Sequence, residues 1–575
     1  MQIKHLYYIL FLFLVQFSFS QNETESIGIE IINVVKPYTP SVSDAFKIKE
    51  ETPIIEEIQI QKIPVSYSIF SFPVASTFTP NKGVAAKVEK TVEEQLFSNY
   101  ARFGIGNYGT IDAALFATKT FENDNYISAN FKHLSSQGGI KNVDLNTQFF
   151  NTSLDLIFGY KSKSLSWNTN LFVQNQIYNW YGIDPIVSNA MLLATINPKQ
   201  NYNTIALGGA VKLSESVLKE ASIGITRFFD GYNSAENRVV VQPKFEMDIL
   251  EEKVKINLSF DYLNGAFRNN SQPINPSEYG FTNIAIQPNF SLLKEDLSLN
   301  LGLSLVYSVA SDGGKNKFFY YPNVTASYKI FEDNLIGFAG AEGGLIQNSY
   351  HDFVQNNNFV SPSLTIIPTD KKFDIYAGVR GKLSNTVGCN TKISLVNEDY
   401  KPFFKSNTFN LDASSKQGFE FGNSFQVLYD TTKTISISGE ISADVSKNIN
   451  FSLQGIFSKY ILSNLAEPWN LPNLKISGAL DFKIIDKWNA GFKLFYVGER
   501  KDEFTQVSNS GIFAPQVRSL AGYFDVNMNV NYQYNKRLGF FVNGNNLANQ
   551  SYQRWMNFTA QGIQVLLGAT YKFDF

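Results

Sequence analysis

The chain of 575 residues contains one cysteine, Cys389, three histidines and five methionines. A single thiol excludes a disulfide framework and a thiolate metal site. Because no cysteine lies near the amino-terminal apolar stretch, a lipid anchor there is not expected. Past that stretch, no apolar run approaches the roughly 20 residues a membrane-spanning helix needs. The 49 basic and 51 acidic residues nearly cancel, and without a long basic run nothing points to nucleic acid as a partner. Motifs for chemistry are missing as well: no nucleophile elbow, phosphate loop or His-x-x-x-His pair occurs. Paired carboxylates such as Glu56 with Glu57 and Glu251 with Glu252 fall where solvated charge is the ordinary state. His133 and His351 lie far apart near expected external loops, with no acidic or thiol neighbours at ligand spacing. They read as loop histidines in contact with water. No enzyme, metal or cofactor is expected.

What is present is aromatic and amphipathic. Phe occurs 50 times and Tyr 29 times, yet the mean hydropathy is −0.14. This combination suits strands with one apolar and one wet face. Lys4, the apolar core Leu6–Val15 and the small residues Ser18 and Ser20 have the form of a secretory signal peptide over residues 1–20. Residues 21–97 are interrupted by Pro37, Pro40, Pro53, Pro64, Pro73 and Pro80 and cannot be a series of membrane strands. They are expected to form a periplasmic or lumen-inserted leader.

From residue 98 to 575 the governing pattern has a period of two. Val254, Ile256, Leu258, Phe260 and Tyr262 alternate with Lys255, Asn257, Ser259 and Asp261. Leu297, Leu299, Leu301, Leu303, Leu305 and Tyr307 alternate with Ser298, Asn300, Gly302 and Ser304. Near the end, Phe524, Val526, Met528 and Val530 alternate with Asp525, Asn527, Asn529 and Asn531. Alternate residues must occupy opposite faces of a strand, and these runs match the about 9–11 residues of a tilted membrane strand. Short polar turns such as 161–164, 294–296 and 535–536 alternate with long segments such as 181–203, 348–371, 397–422, 498–518 and 545–562. About 10 short turns imply an all-β, transmembrane antiparallel β-barrel of about 22 strands. Leu299, Leu301 and Leu303 should face lipid, and Asn527, Asn529 and Asn531 the lumen. The stretch 382–445 is ambiguous, since 425–429 could be a strand or part of a loop. The aromatic cluster Tyr178, Trp180 and Tyr181 reads as an interfacial girdle against lipid, with ligand binding as the alternative. Trp469 and Trp555 are left open.

Several late stretches resemble the barrel of TonB-dependent outer-membrane receptors. These are ISISGEISADVSKNINFSLQGIFSKY (435–460), FYVGER (495–500, with Tyr496, Gly498 and Arg500), FFVNGNNLANQSY (540–552) and the closing LLGATYKFDF. The resemblance covers the barrel portion only, because residues 21–97 are too few for the plug domain of that family. It implies a location in the outer membrane of a Gram-negative bacterium and a transport or surface receptor of unknown ligand. The alternative is a plugless barrel that anchors an extracellular or periplasmic complex. The aromatic face Tyr571, Phe573 and Phe575 is similar to the signal read by the barrel-assembly machinery. Ile31, Ile32, Asn33, Val34 and Val35 resemble a TonB box, which binds its partner by adding a strand to a sheet edge. Expected partners are outer-membrane lipid, the assembly machinery, and TonB or a periplasmic or extracellular protein.

Overall fold

The computed structural model describes residues 97–575 apart from 185–189, 250–251, 269–277, 312–315, 332–333, 410–416 and 508–512. The expected signal peptide, the expected leader up to residue 96 and Ile31–Val35 therefore lie outside the described residues. No helix among the described residues is long and apolar enough to cross a membrane.

The strands form one 22-stranded antiparallel sheet. Each barrel strand pairs with its predecessor, and the first, Asn99–Gly106, pairs with the last, Gln564–Phe573, from Asn99↔Phe573 to Gly106↔Leu566. The barrel is thus closed and has no free edge, the condition for a sheet in hydrocarbon. Along the seam the Phe541 ring covers the inner face where Gly104 and Gly568 pair. A Cβ on Gly568 would meet Phe541 Cζ and Phe103 O, both at 2.3 Å. The Arg102 guanidinium lies 4.2 Å from the centre of the Phe541 ring and forms an ion pair with Asp112 at 2.8 Å.

The two faces follow the sequence period. Leu301 and Leu303 are 44 % and 41 % exposed on the outer surface, as are Ile205, Leu207, Ile223, Ile225, Ile435 and Ile437 around the barrel. A continuous apolar band of this extent belongs in lipid. The inner face carries amides and hydroxyls joined across strands. Ser291 donates to Asn300 at 2.6 Å and Asn300 to Thr325 at 3.1 Å; Asn323 donates to Asn289 at 2.9 Å. Asn529 faces inward: a Cβ on its strand partner Gly491 would meet both Asn529 Oδ1 and Asp481 Oδ1.

One rim carries only turns of two to four residues, such as 121–124, 295–296, 447–448 and 534–537. The other carries the long connections, among them 180–198, 347–368, 407–424, 463–473, 498–522 and 546–563. The ambiguous region resolves into two long strands, Val387–Ser406 and Phe425–Ser446. Residues 425–429 begin a strand, and 397–406, expected as loop, continue one. Both run well past the apolar band, and their far ends are buried by loops instead of lipid.

Candidate functional site at the barrel mouth

Several loops of the long-connection rim pack against one another and against the upper inner wall, and these share one aromatic core. Its centre is the short helix Tyr350–Asn356 in the connection 347–368. Ser349 caps it, Oγ accepting from Asp352 N–H at 3.0 Å, and Asp352 in the first turn suits the helix dipole. Tyr350, Phe353 and Val354, at i, i+3 and i+4, form one buried face. Tyr350 packs edge-on against Phe228 at 5.2 Å and Phe267 at 5.0 Å, and Phe353 against Phe404 at 5.8 Å.

Three charged wall residues clamp this helix. Glu236 is buried and accepts from Tyr279 Oη–H at 2.7 Å, Tyr350 N–H at 2.7 Å and His351 N–H at 3.2 Å. Asp230 accepts from the Tyr350 hydroxyl at 2.8 Å and from the backbone of Tyr232 and Ser234. Arg238 donates to both oxygens of Asp261 and reaches Asp352 at 3.2 Å. Burial holds the Tyr350 phenol well above its ordinary pKa, with Asp230 adding to the effect, so it stays a neutral donor. Burial lowers the His351 imidazole. This histidine, expected in open water, is part of the inward-folded helix, tilted against the Phe228 ring.

The other loops close over the helix. Trp180 is fully buried between Tyr232 and Phe419, and its carbonyl accepts from Asn423 Nδ2 at 2.7 Å. Tyr181 packs on Phe359 and Phe558, which stack at 3.9 Å. The girdle expected at Tyr178, Trp180 and Tyr181 is therefore corrected: these side chains build the loop core. Interfacial and core aromatics have the same composition, and only the inward fold of 180–198 separates them. Trp555 joins Phe404 and Phe425. Trp469 packs with Phe403 and Leu471 in a second, smaller core.

Asp502 ties three connections together. It is fully buried and accepts from Ser406 N–H at 3.0 Å, Ser406 Oγ at 2.9 Å and Asn470 Nδ2 at 2.8 Å. Burial pushes its carboxyl up to about 6, against these hydrogen bonds, which favour the charged form. Nearby, Arg500 donates to the carbonyls of Gln553 and Arg554 and lies over the Tyr523 ring. Tyr523 stacks on Tyr552 at 4.0 Å, and Tyr552 donates to Asp525. Arg500 and Tyr552, singled out by the motif resemblance, thus fasten the connection 546–563. Glu236, Asp230, Arg238 and Asp502 carried no signal in the sequence, since charges at strand ends usually mark solvated turns.

On the far side of this assembly a recess of about 310 Å3 lies between the connections 137–148, 180–198 and 546–563, lined by Asn142, Asp144, Tyr181, Gln553 and Asn557. Among the described residues no group of three or more His, Cys, Asp or Glu could hold a metal ion. The terminal aromatics lie on the last strand, where Tyr571 pairs with Ala101 and stacks on Phe573 at 6.0 Å, and Phe575 is 74 % exposed.

No family model matches the chain, and no curated protein matches it in sequence. Solved structures do match in fold. The FrpB iron transporter from Neisseria meningitidis superposes with a TM-score of 0.64 at 12% identity, over 84% of this chain and 82% of its own. The siderophore receptor PirA from Acinetobacter baumannii gives 0.61 at 11% identity, over 84% of this chain and 81% of its own. The ferripyoverdine receptor of the outer membrane of Pseudomonas aeruginosa gives 0.60 at 12% identity, over 83% and 72%. The closed 22-stranded barrel of this chain has the fold of TonB-dependent receptors.

Proposed function

We propose that the protein is an outer-membrane receptor and transport barrel that takes its ligand from the outside through the loop assembly. The observation that carries this reading is the inward-folded, clamped set of loops on a barrel whose likenesses in fold include an iron transporter and a ferripyoverdine receptor. A pore of this width needs a seal, because 22 strands enclose a lumen too wide for side chains to fill. In this reading the long connections face the medium, residues 1–20 direct export, and residues 21–97 occupy the lumen or the periplasm. Ile31–Val35 would offer a strand to TonB, and Tyr571, Phe573 and Phe575 would be read by the assembly machinery.

A deletion strain grown on single nutrient and iron sources tests the reading: loss of growth on one source, restored by the intact gene, supports it. Stoichiometric capture of a surface or periplasmic protein, with growth unchanged on every source, would favour the anchoring alternative and overturn it. Removing residues 22–90 should admit bulky antibiotics, and unchanged permeability would take the leader out of the seal.

A further inference from the structure

The outer wall carries an apolar groove of about 800 Å3 between the strands Lys317–Phe331 and Phe425–Ser446. Ala339, Ala341 and Ala377 lie in it between the bulkier Val324, Ile393 and Ile435. The cross-strand pairs put these side chains on the outward face. The volume is within the roughly 300–1,000 Å3 of sites that hold a drug-sized molecule, so acyl chains fit. Apolar shape alone gives little preference in a bilayer, where lipid tails are as apolar as the wall. A selective site needs charge beside the groove.

Two lysines at one corner of the groove supply it. Lys459 pairs across the ladder with Ile435, and Lys433 with Ile461. Ile435 and Ile461 are 40 % and 46 % exposed on the outer face, and paired residues point to the same side of a sheet. Both lysines therefore project outward, as diagonal neighbours about 7–8 Å apart along the ladder. Both are exposed, and neither makes a hydrogen bond or an ion pair. Asp399 on the adjoining strand is already taken: it pairs with Lys372 at 2.6 Å and accepts from Thr431 Oγ at 3.0 Å. Lys459 lies beyond Phe457, where pairing with the next strand ends at Leu474. The two ammonium groups thus stand at the long-connection end of the apolar band. An outward lysine on a membrane barrel is costly unless its ammonium reaches the headgroup layer, and two side by side leave a double positive charge for an anion to meet. From this arrangement we infer that the groove and the lysine pair form one site for a phosphate-bearing, acylated lipid of the outer leaflet. Phosphate oxygens accept from Lys433 Nζ and Lys459 Nζ, and an acyl chain runs down past Ile435, which belongs to both parts, over Ala377 and Ala339.

The inference goes beyond the receptor reading and needs only the barrel in its membrane, so purified protein tests it apart from transport. Full-length protein in a neutral detergent is given bisphosphorylated lipid A, the same lipid stripped of its phosphates, or inorganic phosphate, and native mass spectrometry counts what stays bound. One lipid A per chain should survive washing, the dephosphorylated lipid should be retained about tenfold less, and excess inorganic phosphate should not displace the lipid. Lys433→Gln combined with Lys459→Gln should lower retention about tenfold. Ala377→Phe fills the groove while keeping the outer face apolar, and should lower retention with both lysines intact. Lys119→Gln, which changes an outward lysine near the short-turn rim, should leave it unchanged. Equal retention of the two lipids, equal retention by the double-lysine variant or by Ala377→Phe, or displacement by inorganic phosphate would each overturn the assignment. A growth screen without phenotype would overturn the transport reading and leave this result standing.

Discussion

The Glu236 carboxylate on the barrel wall accepts the backbone N–H of Tyr350 at 2.7 Å, across 114 residues of chain. One side chain thereby fixes the first turn of the loop helix to the wall. Glu236→Ala strips acceptors from two backbone N–H groups and from the Tyr279 hydroxyl. The local cost should be about 3 kcal/mol, from about 1–3 kcal/mol for each buried group left unpaired, less what water recovers. Hydrogen exchange at Tyr350 and His351 should accelerate about a hundredfold, while the heat-modifiable barrel band on gels is unchanged. Unaltered exchange would show that the aromatic packing alone holds the helix.

Acidity should tighten the loops around Asp502. Its folded carboxyl sits at about 6, above the ordinary 3.8. Its contribution to stability is therefore fully present below 3.8 and is lost as pH rises through about 6. Proteolytic nicking in 463–473 should be slower at pH 5 than at pH 7.5, with a linkage on the order of 1–3 kcal/mol. Asp502→Asn should flatten the profile. A wild-type profile that is already flat would mean that the three connections do not sense this group.

Leu301→Arg places a charge in the apolar band and should cost about 2–4 kcal/mol if the residue lies near the bilayer midplane. Asn529→Arg points into the lumen beside Asp481 and should insert normally. Folding yield into vesicles measures both. Equal yields would refute the assignment of faces.

At the seam, Gly568→Val should block closure, because even its Cβ has no room between Phe541 and the Phe103 carbonyl. The expected result is loss of the compact heat-modifiable form. Gly568→Val combined with Phe541→Ala should recover part of it, since the carbonyl clash remains. Normal assembly of the single variant would show that the seam adjusts.

Much of the barrel was legible in the residues. Alternation in 254–262, 297–307 and 524–531 assigned faces correctly because a strand has a strict period of two and lipid demands apolarity on one side. Turns such as 294–296 and 535–536 were visible because they interrupt that period. Legibility failed where a strand leaves the membrane. Residues 397–406 lose their alternation once loops cover both faces, so they read as loop. The loop assembly was opaque for a related reason: Trp180, Tyr350 and Phe558 enter one core from three connections, and no local spacing records that convergence. Asp230 ends the strand Leu218–Asp230, and Glu236, six residues on, is the second residue of the next, Ala235–Ile249, so the two look like any solvated pair beside a turn.

The clamped helix also sets a sign for ligand affinity. If the mouth also opens, a ligand that needs the open state binds with its intrinsic affinity reduced by the open fraction. Changes that weaken the closed state, such as loss of the Glu236 carboxylate, should then make such a ligand bind more tightly. Damage to the fold and gain of affinity would go together, so a screen for tighter binders should return substitutions on the wall behind the helix, at positions that never touch the ligand.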